Sequence, residues 1–343
     1  MQTMKGAFWS SLTLCALGSL LPACGAGIDG ASSEEGPAEV TVSRQAVFAC
    51  NDMWGCCDSS LYSSCDAVGI GQRTTDSDVM LIFKLYACPT TASSTTPFST
   101  CGVEDGFYLI GGGAATLGSM DAALKRSVPV SVGSHGSWGA RSEGILGPVS
   151  HGLKAYALGL KMINKLTDED VNLDDDIHSY SFNSNLGDRV TASKNVPSGE
   201  LLIGGGWSGG TGTFAVDAYA TGMSAGKWTV NGKQFGTTTG QILGRAISLS
   251  RCLPAANPLF CLRARDINEA VSPDGTFLQG ALAKSGSSFQ AMVGVGVKSS
   301  SWSRPIWMMY PVAYTGEDTT AGFTTAPVAT LGHVTTQIMT VGF

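Results

Sequence analysis

The chain has 343 residues and a formal net charge of −6, from 21 Lys and Arg against 27 Asp and Glu. That balance, with no run of cations along the sequence, argues against a nucleic-acid partner, whose binding rests on clustered Lys and Arg. Charged residues make up only 14% of the chain and 45 positions are glycine, a turn-rich, polar-uncharged composition suited to an exported β protein rather than a helical cytoplasmic enzyme.

Residues 1–23 read as a targeting segment. Lys5 is its only charge, small and apolar residues run from about Gly6 to Leu20, and it ends Leu21-Pro22-Ala23-Cys24. That ending resembles the lipobox of bacterial lipoproteins, in which the cysteine takes a diacylglyceryl group and becomes the new N-terminus. The resemblance implies lipidation at Cys24 and anchoring to the bacterial cell envelope, at the outer membrane or cell surface. An ordinary secretory signal is the alternative, and either implies export. The apolar stretch is too short and too interrupted to span a bilayer, so the expected membrane contact is the lipid alone. Residues 24–45 have too little apolar content to bury anything and read as a flexible tether.

Residues 46–101 form a Cys-rich β segment. Setting aside Cys15 in the signal and Cys24, the remaining cysteines are Cys50, Cys56, Cys57, Cys65, Cys88, Cys101, Cys252 and Cys261. An even set in an exported chain favours disulfides. Proximity pairs Cys88 with Cys101 and Cys252 with Cys261, leaving four to staple the region near 46–70. Zinc is disfavoured there, because neither paired Cys-x-x-Cys knuckles nor a nearby histidine is present.

A repeated sentence then begins. Asp105-Gly106-Phe107-Tyr108-Leu109-Ile110-Gly111-Gly112-Gly113-Ala114 returns as Ser198-Gly199-Glu200-Leu201-Leu202-Ile203-Gly204-Gly205-Gly206-Trp207, and in worn form as Asp274-Gly275-Thr276-Phe277-Leu278-Gln279-Gly280-Ala281-Leu282-Ala283. A turn pair followed by an apolar run is a turn feeding a buried strand, and the glycines let another backbone come close. A phosphate-cradling loop would need a helix directly afterwards, which these sequences do not open. Downstream stand Trp138, Trp228 and, in the third copy, Trp302 or Trp307. Each copy closes on an alternating run, beginning near Leu153, Ile242 and Val334. A run of the same type, Val79 to Cys88, precedes the first copy and suggests that units exchange strands.

The expected fold is therefore all-β. Three pseudo-repeats of short antiparallel strands (102–166, 195–262 and 263–343) would pack as a β-prism or barrel, or as a row of small sandwiches, stapled by disulfides. The repeat loosely resembles the Gly-Gly-Gly-containing β repeats of exported bacterial proteins, which implies no activity.

Between the first two repeats, 167–194 is an acidic linker followed by a strand. Asp168, Asp170, Asn172 and Asp174 offer oxygens at alternate positions, as calcium loops do. Leu173 stands where such a loop needs glycine and Ser179 where it needs glutamate, so a solvated linker is favoured, with calcium the only cofactor to consider.

No residue is assigned a catalytic role. Gly206-Trp207-Ser208-Gly209-Gly210 fits the nucleophile elbow of serine hydrolases, but the Gly-Gly-Thr-Gly-Thr after Ser208 is a poor helix start. His151 and His333 begin closing strands, His178 adjoins the acidic run, and His135 lies in a turn beside Trp138. The expected function is a non-catalytic binding module for glycans or envelope components. Carbohydrate is the favoured ligand, stacked on Trp138, Trp228 and Trp302 with His135 nearby. A structural envelope component, with the tryptophans in the core, is the alternative, and a secreted hydrolase a distant third.

Overall fold

Period-two alternation becomes extended chain throughout, and no helix occurs among the described residues. The computed structural model describes residues 65–74, 79–224, 226–236, 239–253, 260–284, 290–314, 317–326 and 328–342. The signal segment, Cys24, the tether, Cys50, Cys56, Cys57 and the side chain of Cys65 lie outside that description.

Strand β1 (Cys65–Thr74) precedes a first unit of β2 (Val79–Ala87), β3 (Phe98–Gly102), β4 (Tyr108–Leu117), β5 (Ala122–Ser131), β6 (Gly133–Ser134), β7 (Ser137–Gly144) and β8 (Gly152–Asn164). After the two-residue β9 (Glu169–Asp170), the second unit holds β10 (Ile177–Asn183), β11 (Arg189–Asn195), β12 (Glu200–Gly209), β13 (Thr213–Thr221), β14 (Lys227–Gln234) and β15 (Ile242–Ser250). The short pair β16 (Cys252–Leu253) and β17 (Phe260–Cys261) leads to the third. That unit holds β18 (Arg263–Val271), β19 (Leu278–Lys284), β20 (Gln290–Ser299), β21 (Ile306–Tyr314), β22 (Glu317–Thr325) and β23 (Val334–Gly342).

Every unit makes the same two antiparallel ladders. They are β2-β8-β4 and β3-β7-β5 in the first, β10-β15-β12 and β11-β14-β13 in the second, and β18-β23-β20 and β19-β22-β21 in the third. The ladders then join across units, where β4 meets β21, β12 meets β5 and β13 meets β20. Each of the three large sheets is thus half one unit and half another. A row of sandwiches would keep each unit's sheets to itself, and a barrel would close; neither occurs, so the prism-like alternative stands.

Glycine makes the joins possible. The opening strands bulge at equivalent places, after Leu109, Leu202 and Met292, and expel Ile110, Ile203 and Val293 into full burial. Just beyond the bulges the strands approach one another. A Cβ on Gly111 would stand 2.6 Å from the Val293 carbonyl oxygen, and one on Gly294 would stand 2.1 Å from that of Ile203. Two residues later Gly113, Gly206 and Gly296 lie where the strand of the next unit crosses. There a Cβ would stand 2.2 Å from Met309 O, 2.3 Å from Ser127 O and 3.2 Å from Ala218 O, respectively.

Opposite these three glycines stand Tyr156, Arg245 and Gln337, whose side chains reach over the bare backbone to the next unit. Tyr156 stacks on Tyr310, with centroids 4.6 Å apart and planes 15° apart. Arg245 Nη1 donates to Pro129 O at 2.8 Å. Gln337 brackets Ala220, accepting from its N–H at 3.0 Å and donating to its carbonyl at 3.2 Å. One position is thus filled by three different chemistries.

The pairing corrects the third copy. Its glycine strand is β20, with Val293-Gly294-Val295-Gly296, whereas the Asp274–Ala283 stretch ends in the edge strand β19. Val295 replaces the middle glycine, and the position of Trp138 and Trp228 is held by Thr320, opposite Pro311 as Trp138 is opposite Pro129 and Trp228 opposite Ala220. Small and large have exchanged places across the interface, so neither Trp302 nor Trp307 is the third core tryptophan. Strand β2, expected to pair in a neighbouring unit, pairs with β8 of its own. Both proximity disulfides are present, Cys88–Cys101 and Cys252–Cys261.

Candidate functional site

Trp138 and Trp228 are fully buried under the middle glycines, where a Cβ on Gly112 or Gly205 would come within 2.5 or 2.6 Å of their rings. Trp138 Nε1 donates to Ser127 Oγ at 3.0 Å. No sugar ring can reach either indole, so these two stacking platforms are withdrawn. Their faces were needed by the core, where glycine opposite tryptophan is a close-packed complement.

Trp302 differs. It sits half-buried in the β20–β21 connection with the Arg189 guanidinium 5.6 Å from its ring centroid. With Val216, Asp217, Ser299, Ser300 and Ser301 it lines a cleft of about 50 Å³. The β13 bulge between Ala215 and Asp217 brings that carboxylate to the end of β20. Asp217 Oδ1 accepts from Ser299 N–H at 2.5 Å, and Oδ2 accepts from Asn231 Nδ2 at 2.7 Å. Thr191 Oγ1 in turn donates to Asn231 Oδ1 at 2.8 Å. Burial pushes the Asp217 carboxyl up, against the pull of Asn231, Ser299 and nearby Lys298. Lys298 is itself held by Glu269 at 2.5 Å.

Asp217 and Asn231 are absent from the sequence-derived candidates. The available signal was Phe214-Ala215-Val216-Asp217-Ala218-Tyr219-Ala220, one carboxylate inside an apolar run, a setting in which desolvation raises a pKa. The bulge that aims it is not visible in sequence.

His135 takes φ of +54° at the exposed turn before β7 and lies 3.1 Å from Asp105 Oδ1. It is not among the residues that line the Trp302 cleft. In the acidic run Asp168 is exposed, with φ of +57°, and Asp170 pairs with Lys161 at 2.8 Å. Asn172 Oδ1 accepts from Asp174 N–H at 2.8 Å and Tyr108 OH at 3.3 Å, while Asp174 accepts from Ser134 N–H at 3.0 Å. Asp170, Asn172 and Asp174 thereby fasten the linker to β8, β4 and β6. Among the described residues no group of three or more His, Cys, Asp or Glu is arranged to hold a metal.

Ser208 stands next to the end of β12, opposite Leu243 and Arg126, and the chain continues into β13 rather than a helix. The strained elbow that would activate it is not formed. His178 joins a different network, 3.9 Å from Glu200, whose carboxylate also accepts from Tyr180 OH at 2.7 Å and from Ser248 Oγ.

Lys125 carries a strongly displaced amine. Its Nζ is buried 4.6 Å from the Phe214 ring centroid and 3.9 Å from Glu143 Oε2, with no hydrogen-bond partner. Desolvation lowers its pKa to about 8, Glu143 opposing and Arg141 assisting. Below that pH the folded state carries a poorly solvated ammonium. Between about 8 and the ordinary lysine value the unfolded chain holds a proton that the folded chain releases, so stability rises with pH. Lys125→Met should raise the melting temperature at pH 7 and flatten its climb between pH 8 and 10, as followed by thermal unfolding.

No family model matches the chain, and no curated protein matches it.

Proposed function

We propose that the protein is an exported, lipid-anchored, non-catalytic binding module of the bacterial cell surface, and that it holds carbohydrate at the Asp217–Trp302 cleft. The observation carrying this reading is the position of Trp302. It is the only one of the three candidate indoles left partly open, and it is flanked by the kinds of group that pair with sugar hydroxyls: the Asp217 carboxylate, the Ser299–Ser301 hydroxyls and the Arg189 guanidinium. An apolar ring face beside a few fixed polar groups is how proteins orient a polyhydroxylated ligand. The cleft is shallow, which suits the edge of a polymer rather than an enclosed monosaccharide. Anchoring through Cys24 and the 24–45 tether would hold the body clear of the membrane.

Glycan-array and polysaccharide pull-down measurements test the reading. Trp302→Ala should weaken binding about tenfold or more, the loss of one well-placed contact, with thermal unfolding unchanged. Equal binding by the variant, or no glycan bound by the well-folded parent, would remove it. The burial of Trp138 and Trp228 favours the second reading, a structural envelope component that needs no ligand.

A further inference from the structure

Cations far apart in sequence meet on the outer face of the β10-β15-β12-β5-β7-β3 sheet. Arg126 on β5 lies directly opposite Arg141 on β7 and, on its other side, opposite Ser208 on β12. Two residues along β12 from Ser208, hence on the same face, Gly206 lies opposite Arg245 of β15. The other face of these strands is the core, with Trp207, Ser127, Ala140 and Ala246 fully buried. Arg126 Nη2 lies over Gly139, where a Cβ would stand 3.6 Å from it, and Gly206 is covered by the Ser127–Val128 backbone of β5.

Two of the three cations are engaged. Arg141 pairs with Glu143 at 2.9 Å, and Arg245 donates to Ser181 Oγ at 3.2 Å and to Pro129 O at 2.8 Å. Arg126 finds no acceptor among the described residues, and its Nε is buried without a partner. Burial and the neighbouring charge of Arg245 both push its pKa down. Like charges directly opposite across a ladder are unfavourable. In a chain of net charge −6, a buried donor beside two further guanidiniums lacks its counter-ion.

We infer that Arg126, Arg245 and Arg141, with the Ser208 hydroxyl, form a binding site for an oxyanion, the carboxylate or sulfate group of an acidic saccharide. The planar guanidinium of Arg126 offers two parallel N–H donors, the geometry that a carboxylate or sulfate accepts. Ser208 adds a hydroxyl on the adjacent strand. Binding would relieve the repulsion that the sheet register imposes. Only the choice of a saccharide as carrier rests on the reading of the protein as a glycan binder, since the site is separate from the Trp302 cleft.

The test is retention of the purified chain by dextran sulfate and by polygalacturonate, with neutral dextran as control and salt varied. The expected result is salt-sensitive binding to both acidic polymers that Arg126→Gln weakens about tenfold or more. Arg126→Lys should recover part of it, and Arg263→Gln, an exposed cation on β18, should leave it unchanged. Trp302→Ala should not affect this binding, which separates failure of the cleft from failure of this site. Thermal unfolding of each variant keeps folding losses apart. Equal retention of the parent and Arg126→Gln, equal losses in Arg126→Gln and Arg263→Gln, no retention of either acidic polymer at low salt, or tighter binding of single-stranded DNA than of both would overturn the proposal.

Discussion

Gly113→Ala should destabilise the body by about 3 kcal/mol, the upper range for overpacking a dense core, even though it adds a single methyl group. The new carbon would stand 2.2 Å from Met309 O and 2.6 Å from Tyr310 Cα, both backbone atoms of the crossing strand. A side chain could rotate away, but a strand paired to β4 at Ala114 and Ala115 cannot without breaking the junction. The Tyr156–Tyr310 stack that spans the glycine would be lost with it. Gly147→Ala is the control, because a Cβ there meets nothing within 4 Å, and it should stay within about 0.5 kcal/mol of the parent. Denaturant unfolding of both variants reads the difference; equal midpoints would mean the junction is looser than described.

Arg304→Leu should cost about as much, through hydrogen bonding rather than packing. The Arg304 side chain is fully buried and donates to four carbonyls: Phe277 O at 3.3 Å, Thr276 O at 2.7 Å, Thr330 O at 2.6 Å and Gly275 O. It ties the β18–β19 connection to the β22–β23 connection. The shorter apolar side chain leaves those oxygens without their donor, at about 1–3 kcal/mol for each that stays dry. Burial pushes the guanidinium pKa down and Asp274 opposes this; a guanidinium is not deprotonated in a protein. Arg304→Lys should rescue little, since one ammonium cannot reproduce the planar fork. Hydrogen exchange should show lost protection at Gly275 and Gly332, which bond each other's backbone, while β12 and β15 stay protected. Unchanged exchange at that bridge would contradict the clamp.

The glycine triplets of the first two units were legible because period, turn and apolar run coincide there. In the third unit the exchange of Gly for Val295 and of Trp for Thr320 happens across a gap in space, which a linear reading cannot pair. The same limit misplaced the ligand site. Alternation tells that Trp138 and Trp302 occupy strands or turns, but not that Gly112 makes a slot for the first while the second caps a loop. Two disulfides followed from proximity alone, because each closes a short local loop. Arg126, Arg141 and Arg245 belong to two units and three strands, and only the join between β5 and β12 gathers them. Where chemistry depends on neighbours within a strand, the chain announces it; where it depends on which units share a sheet, topology must come first.

The interlacing of units is the claim from which the rest follows, and a cross-link tests it most directly. Arg126 and Ser208 are directly opposed although they belong to different units. The double variant Arg126→Cys/Ser208→Cys, folded under oxidising conditions and mapped by mass spectrometry without reduction, should contain one additional disulfide joining those positions within a single chain. Folded protein in which both new cysteines stay as free thiols, or link only between chains, would contradict the shared sheet.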